Sequence, residues 1–284
     1  MGLAGYAMTA LQRCNRHKAN RSRKLNKLVV RVLASVVLIL GSSAANAKDW
    51  KKIRIGVEGA YPPFSSMTAE GKLVGFDIDI ANALCAEMGA KCTLVQQDWD
   101  GIIPALMARK YDAIIASMAM TEERKKKVAF TNKYYQVPAK FVRKKGSGIE
   151  IDKAGLKGKA VGVQRATTHD NFITEKFGSS VDLKRYATQD EAYLDAVAGR
   201  LDLLLADSVA LKDGFLDTDQ GKDWEFVGPD YIDVEYFGEG AGIAVSKKNQ
   251  DLVDKLNKAI DAIRANGTYE KINAKYFEFD VFGG

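Results

Sequence analysis

The first 47 residues of this chain contain no aspartate and no glutamate, although they carry eight lysine or arginine residues. Nine mostly apolar residues follow the basic stretch at 32–40, and small residues then lead to Ala-Asn-Ala at 45–47. A transmembrane helix needs about 20 apolar residues, so this run is too short to span a bilayer. A basic head, a short apolar stretch and a small-residue exit predict a secretory signal peptide over residues 1–47.

The rest of the chain lacks a net positive charge. The whole sequence has 42 Lys or Arg and 36 Asp or Glu, and removing the leader's 8 basic residues leaves 34. The formal charge therefore falls from +6 to −2. A basic protein would favour nucleic acid or an anionic membrane surface as its partner. Because the basicity belongs to the leader, we expect neither partner.

Cysteine and histidine are scarce. Cys14 falls in the leader, which leaves Cys85, Cys92 and a single histidine, His169. An even pair of cysteines in an exported protein suggests a disulfide, here closing a loop of eight residues. Two cysteines without a nearby histidine make a poor metal site, so we predict no metal and no cofactor.

Strand and helix patterns alternate after the leader. Strand patterns lie at 52–58, where apolar residues alternate with others, and at 74–76, 91–96, 111–116, 159–163, 181–186 and 201–206, of which 111–116 and 201–206 are the most apolar. Helical patterns lie at 77–88, 100–109, 168–177, 190–198, 251–264 and 267–277. Continuous apolar strands between helices predict an α/β fold with mostly parallel sheets.

The strand and helix patterns fall into two sets, which predict two lobes. Extended chain near residues 136–140 joins the sets, and the segment 231–244 can return the chain to the first lobe. We therefore predict a first lobe of residues 48–137 and 238–284 and a second lobe of residues 138–237.

Polar and aromatic side chains follow several predicted strands, where ligands of open parallel sheets bind. These candidate binding residues are Glu58, Tyr61, Trp99, Ser117, Arg124, Thr167, Thr168, His169 and Asp207. Together they offer carboxylates, one arginine, hydroxyls at a helix start and two aromatic rings. This set suits a small zwitterion with a cationic tail.

Each candidate group has a chemical counterpart on such a ligand. A planar guanidinium binds a carboxylate bidentately, which is the role we predict for Arg124. Thr167 and Thr168 begin a helix, whose free N–H groups attract anions. Asp207 can take an α-ammonium group, and Glu58 can meet the distal cation.

The same residues also have structural explanations. Glu58 can be a solvated carboxylate, and Arg124 lies in a charged run typical of an exposed helix face. Thr167 and Thr168 can simply cap a helix, and His169 can lie on the surface. Trp99 and Tyr61 suit a sandwich around an alkyl chain or a guanidinium, although Trp99 can equally belong to the core.

Several stretches resemble the polar amino-acid solute-binding proteins of ABC importers, above all the lysine/arginine/ornithine- and histidine-binding branch. These stretches are IRIGVEGAYPPF at 53–64, LVGFDIDI at 73–80, YDAII at 111–115, MTEER at 120–124, NGTYEK at 266–271 and YF at 276–277. The resemblance implies a type II periplasmic binding protein fold with two lobes and two hinge crossings. It also implies a disulfide between Cys85 and Cys92.

The resemblance implies a role for each matching position. Arg124 and Thr168 would bind the ligand carboxylate, and Asp207 the ammonium group. Tyr61 would stack on the ligand side chain, opposite Trp99. Ser117 would act from the first lobe, and Glu58 would meet the cationic end.

Two positions depart from the basic amino-acid binders. Ala116 and Ala119 stand where those proteins have serines, which weakens binding or leaves room for a bulkier ligand. His169 and Trp99 also resemble the opine-binding branch, whose ligands carry an extra carboxylate on the α-nitrogen. Asp207 would repel that carboxylate.

We therefore expect a monomeric periplasmic protein without enzymatic activity. It would bind a basic L-amino acid (arginine, lysine, ornithine or histidine) between its lobes and deliver it to the membrane permease of an ABC importer. The alternatives are an opine-binding importer subunit, a periplasmic dehydratase with Glu58 as general acid, and a sensor that signals to a separate membrane partner.

Overall fold

The computed structural model of the chain describes residues 48–283, and the predicted signal peptide at 1–47 lies outside this range. Residues from Asp49 onward form one compact unit. Within the described range no helix has the length and apolar character needed to cross a bilayer.

Strands and helices alternate through most of this unit. The strands are β1 Lys52–Val57, β2 Ala60–Tyr61, β3 Ser65–Met67, β4 Leu73–Val74, β5 Lys91–Gln96, β6 Ala113–Ile114, β7 Ala129–Tyr135, β8 Ala139–Lys144, β9 Ala160–Gln164, β10 Asp182–Tyr186, β11 Leu203–Asp207, β12 Trp224–Tyr231 and β13 Ala241–Val245. The α-helices are α1 Phe76–Glu87, α2 Ile102–Met107, α3 Glu122–Lys127, α4 Thr168–Phe177, α5 Gln189–Val197, α6 Ser208–Leu211, α7 Val234–Phe237, α8 Gln250–Ala265 and α9 Thr268–Tyr276.

Two five-stranded sheets organise the fold. The first has the order β5-β1-β6-β13-β7 and the second the order β10-β9-β11-β8-β12. In the first sheet β13 runs antiparallel to both neighbours, whereas β1 pairs in parallel with β5 and β6. In the second sheet β8 is the reversed strand. Four of the five strands in each sheet thus run in one direction, as expected for mostly parallel sheets.

In each sheet, the strand that runs opposite to the other four is the first strand that forms after the chain crosses from the other sheet. The chain crosses from β7 to β8 and returns from β12 to β13, which gives the two predicted crossings. The predicted strands omit all four of these elements. β7 and β8 do not show a continuous apolar run, and β12 contains a Gly-Pro pair that a central strand would not tolerate. β13 is an apolar run followed by α8, but the sequence analysis assigned this stretch only to the segment that returns the chain to the first lobe. The lobe boundaries at residues 137 and 237 remain a prediction.

Apolar side chains cover both faces of each sheet. One cluster packs α1, α8 and α9 on the first sheet, for example Leu84, Leu256 and Ile260. A second cluster, with Ile102 and Leu106 of α2, covers the opposite face. The second sheet is covered in the same way on its two faces. Burial on both faces explains why its central strands β9 and β11 are almost wholly apolar.

Gly75 sets the entry into α1. Its φ is 131°, and a Cβ at this position would lie 2.3 Å from the carbonyl oxygen of Phe64. Only glycine fits such a backbone at such a close approach. The turn directs Asp77, in the first turn of α1, into the protein, where its side chain is fully buried.

The predicted disulfide between Cys85 and Cys92 is confirmed. It links α1 to β5, with Cα atoms 6.1 Å apart. We expect replacement of both cysteines by alanine to lower the free energy of unfolding by ~2.5 kcal/mol, because the unfolded chain regains the entropy of an eight-residue loop. Urea unfolding of the double variant would measure this. The wild-type protein under reducing conditions is the control, and an unchanged midpoint in both would contradict the prediction.

Candidate functional site

One cavity lies between the two sheets, and all nine candidate residues line it. The remaining lining residues were not among the predicted set: Ala116, Ala119, Tyr135, Val137, Gln164, Gln189, Phe237, Gly240 and Ala241. The joint placement after strand ends, rather than any single residue type, is the sequence feature that located the cavity.

The carboxyl ends of strands from both sheets supply its polar groups. Glu58 directly follows β1 of the first sheet, whereas Gln164 ends β9 and Asp207 ends β11 of the second. This is the edge at which open α/β sheets bind ligands. The cavity therefore receives charged groups from opposite walls.

Arg124 lies on α3 but does not occupy an exposed helix face. Thr121 caps this helix by accepting a hydrogen bond from the Arg124 backbone N–H at 3.3 Å. The Arg124 guanidinium donates to the Ala119 carbonyl oxygen at 3.1 Å and lies 5.1 Å from the centroid of the Trp99 ring. Burial lowers the pKa of Arg124 to about 10, so the group stays charged at neutral pH. A carboxylate entering the cavity would meet a fixed cation.

The start of α4 is a second place for an anion. The Thr167 hydroxyl accepts from the Asp170 N–H at 3.2 Å and donates to the Gln164 carbonyl oxygen at 2.7 Å, so it acts as the helix cap. The next N–H groups, of Thr168 and His169, have no partner inside the helix because they belong to its first turn. They lie at the positive end of a ten-residue helix that lines the cavity.

Asp207 and His169 form a pair on the second lobe's wall. His169 Nε2 lies 3.2 Å from Asp207 Oδ1, and this buried nitrogen has no assigned hydrogen bond within residues 48–283. His169 is buried and also lies near the Phe237 ring. The alternative prediction, that His169 lies on the surface, is wrong, because His169 lies on the side of α4 that lines the cavity.

Two aromatic residues of the first lobe reach across to the second. The Asp207 backbone N–H donates to the Tyr61 hydroxyl at 3.3 Å, and Trp99 Nε1 donates to the Ala166 carbonyl oxygen at 3.1 Å. Ala166 has a φ of 58°, a left-handed conformation that is uncommon for a residue other than glycine. Both rings line the cavity while their polar atoms join its two walls.

The buried carboxylate of Asp77, which was not among the predicted site residues, holds Ser117 in position. The Ser117 hydroxyl donates to Asp77 Oδ2 at 3.0 Å, and the Ser117 backbone N–H donates to the Tyr134 hydroxyl at 3.1 Å. Tyr134 in turn donates to Asp77 Oδ1 at 2.9 Å. Ser117 has a φ of 51°, and these bonds fix it in that conformation. Since its proton is committed to Asp77, the Ser117 hydroxyl can only accept a hydrogen bond from a guest.

Glu58 is buried rather than solvated, with 6% of its surface exposed. It accepts a hydrogen bond from Gln164 Nε2 at 2.5 Å. Burial raises the pKa of Glu58 to about 7, and the carboxylates of Asp190, Asp77 and Asp98 act in the same direction. Among residues 48–283 no lysine, arginine or histidine forms an ion pair with Glu58. This end of the cavity is therefore negative and lacks a counter-ion.

The model of the bacterial extracellular solute-binding proteins, family 3, matches residues 53–279. The chain belongs to this family. This solute-binding protein is 55% identical over 252 residues to an L-arginine-binding protein of Pseudomonas aeruginosa, across 88% of the chain and 96% of that relative. It is 44% identical over 253 residues to a histidine-binding periplasmic protein of Salmonella typhimurium, across 89% of the chain and 97% of that relative.

A solved structure gives the same result for the fold. A periplasmic binding protein of Salmonella typhimurium, described as having high arginine specificity, matches with a TM-score of 0.74 and 35% identity. The match covers 80% of this chain and 99% of that structure. The predicted family and the two-lobed type II fold are confirmed.

Proposed function

We propose that this protein binds one basic L-amino acid in the cavity between its lobes and delivers it to the permease of an ABC importer. Arginine, lysine, ornithine and histidine are the candidate ligands. We further propose that the protein works as a monomer in the periplasm, after removal of the signal peptide. The names of its relatives, an arginine-binding and a histidine-binding protein, support this assignment.

The cavity offers a partner for each charged group of such a ligand. The α-carboxylate would accept from the Arg124 guanidinium and from the first N–H groups of α4, next to Thr168. The α-ammonium group would donate to the Asp207 carboxylate and to the Ser117 hydroxyl. Tyr61 and Trp99 would flank the side chain between these two ends.

The observation that carries the proposal is the buried Glu58 carboxylate without a cationic partner in the described chain. Burying an unpaired carboxylate is costly, and its raised pKa reflects that cost. A ligand with a positively charged end would supply the missing counter-ion. A neutral amino acid would fill the opposite end of the cavity but leave Glu58 unpaired.

Isothermal titration calorimetry of the purified mature protein tests the proposal. Endogenous ligand is first removed by unfolding and refolding, and arginine, lysine, ornithine, histidine and glutamine are then titrated. We expect saturable heat with at least one of the four basic ligands, and much weaker binding of glutamine. No heat with any basic amino acid would refute the proposed function.

Ligand affinity should depend on pH through Glu58. A cation beside the carboxylate stabilises its ionised form, so binding lowers the pKa of Glu58 from about 7 and releases a proton below that pH. Affinity for arginine or lysine should thus rise from pH 5.5 to about 7 and then level off, with a slope of at most about tenfold per pH unit. Calorimetry across this range, in buffers of different ionisation enthalpy, measures both the affinity and the protons released.

A Glu58→Gln variant is the control for this pH dependence. It keeps the shape of the side chain but has no proton to release. The variant should therefore bind arginine or lysine more weakly, and this affinity should change less with pH. Asp77, whose pKa burial also raises to about 7, remains in the variant and accounts for any residual slope. A wild-type affinity that stays constant from pH 5.5 to 8 would show that Glu58 does not meet the ligand cation.

An opine is the second candidate ligand, because two observations favour an added carboxylate near the α-nitrogen. Ala116 and Ala119 line the cavity without hydroxyl groups. His169 lies beside Asp207 and, when protonated, would offset its repulsion of an added carboxylate. Titration with octopine in the same series decides between the two classes of ligand.

A dehydratase on this fold would need a general acid, and a carboxyl group with a pKa near 7 has the required property. The relatives reported above are named as binding proteins, which supports a non-enzymatic role. Incubation with prephenate-like acids, followed by chromatographic detection of product, tests for activity. Product formation that depends on Glu58 would replace the proposed function.

A further inference from the structure

A second buried side chain shares the negative end of the cavity with Glu58. Gln164, the last residue of β9, is 4% exposed and lies on the opposite wall. Its Nε2 donates to Glu58 Oε1 at 2.5 Å and to the Ala187 carbonyl oxygen at 3.1 Å. The first bond joins the two lobes, and the second holds the amide to its own lobe. Gln164 is thus fixed in position at the place where the ligand's side chain would end.

These two bonds decide the orientation of the amide. The Ala187 carbonyl oxygen can only accept, so the atom that faces it must be the nitrogen, whose other N–H group then points to Glu58. The atom left to meet a guest is Oε1, and within residues 48–283 no hydrogen bond is donated to it. A carboxylate has about four acceptor sites, so Glu58 also keeps free lone pairs. The end of the cavity therefore presents several fixed acceptors on two adjoining groups.

We propose that Gln164 is a specificity-determining residue that makes this end of the cavity prefer a guanidinium over an ammonium group. The inference rests on the proposed function and specifies the ligand's distal group. A guanidinium is planar and carries five N–H donors in a rigid fork, which can reach Glu58 and Gln164 together. The aromatic rings of Tyr61 and Trp99, which line the cavity, suit a flat cation.

An ammonium group of the same charge fits this arrangement less well. It is compact and has three donors pointing in different directions, so it can satisfy Glu58 while leaving the Gln164 oxygen unpaired. A buried acceptor left without a donor destabilises the complex. Charge alone does not separate arginine from lysine, and the second acceptor on Gln164 adds a contact that only the guanidinium can satisfy together with Glu58.

The test compares arginine and lysine binding to the wild type and to Gln164→Met, which keeps the length of the side chain and removes its polar atoms. We expect wild-type protein to bind arginine at least about tenfold more tightly than lysine. In the variant this ratio should fall about tenfold, which is the effect of one hydrogen bond to a charged group. Calorimetry gives both affinities, and the thermal midpoint of each ligand-free protein verifies folding. An unchanged ratio in a folded variant would overturn the inference.

A matched control separates specificity from lobe closure, because the Gln164 bond also joins the lobes. The neighbouring residue, Arg165, forms an exposed inter-lobe ion pair with Asp100. Arg165→Met removes a contact between the lobes without touching the end of the cavity, so any change in affinity should be equal for arginine and lysine. If Gln164→Met also changes both affinities by one common factor, its role is closure and the specificity inference is wrong.

A further test changes the ligand instead of the protein, so it does not depend on whether a variant folds. Symmetrically dimethylated arginine keeps its charge but blocks donors on both terminal nitrogens. We expect it to lose the advantage of arginine over lysine, and equally tight binding would overturn the inference. Wild-type protein that binds arginine and lysine equally would overturn only the role of Gln164. Protein that binds neither would refute the proposed function itself.

Discussion

Replacing Arg124 by alanine should weaken the binding of every α-amino acid by a hundredfold to a thousandfold. The guanidinium is half-buried and lines the cavity, and the ligand carboxylate would lose its charged partner there. Removing one member of a buried, hydrogen-bonded charge pair costs about 2–5 kcal/mol. Because the carboxylate is common to all candidate ligands, the loss should be similar for arginine, lysine and histidine. Calorimetric titrations of the variant with these three ligands measure it.

Two variants control for charge and for helix stability. Arg124→Lys keeps the charge but not the bidentate fork, so its affinity should be intermediate. Lys126→Ala removes an exposed charge from the same helix and should leave affinity unchanged within about twofold. Wild-type affinity in a folded Arg124→Ala variant would remove Arg124 from the binding site.

The cavity was predictable because its charged groups follow recognisable strands. Glu58 comes after β1, which is recognisable by its alternation of apolar and charged residues, and Asp207 ends β11, which is an apolar run. The rule that ligands bind beyond the carboxyl ends of parallel strands then brings these residues together. Thr167 was open to two interpretations, and the structure supports the capping one through its two hydrogen bonds.

The strands next to the crossings were not predictable in the same way. β7 mixes buried and exposed residues without strict alternation, and β12 has a register shift after Val227. Such strands are defined by their partners in the sheet rather than by a local period. The sequence therefore indicated extended chain at the crossings but not the reversed strand that each crossing adds to a sheet.

The residues that hold the site's polar groups in place were missed for a related reason. Gln164 and Glu58 are 106 positions apart, and Asp77 and Tyr134 are 57 apart. Nothing in the local sequence of either pair shows that the two side chains meet. The apolar neighbours of Asp77 favour a helix that is simply buried, and its carboxylate becomes significant only when Ser117 and Tyr134 are placed around it. A polar residue that ends an apolar strand, as Gln164 does, is the one signal that was available.

Replacing Asp207 by asparagine should weaken binding of a free amino acid by a hundredfold or more. The change keeps the shape of the side chain and removes the charge that would pair with the α-ammonium group, again a loss of about 2–5 kcal/mol for a buried pair. Its backbone N–H bond to Tyr61 does not depend on the side chain and should persist. Asp217→Asn is a matched control, since Asp217 is an exposed carboxylate paired with Lys212. Calorimetry with arginine compares the two variants.

The same variant distinguishes the two classes of ligand, because the α-nitrogen of an opine carries a carboxylate that Asp207 repels. Octopine has the guanidinium of arginine, so both ligands should engage Glu58 alike and differ only beside Asp207 and His169. If the protein binds free amino acids, the Asp207→Asn variant should bind arginine more weakly than the wild type does. The difference between its affinities for arginine and octopine should therefore become smaller. A variant that keeps wild-type arginine affinity while binding octopine more tightly would show that Asp207 limits an opine site instead. The sign of the change in arginine affinity thus tests the assignment of Asp207 to the ammonium group directly.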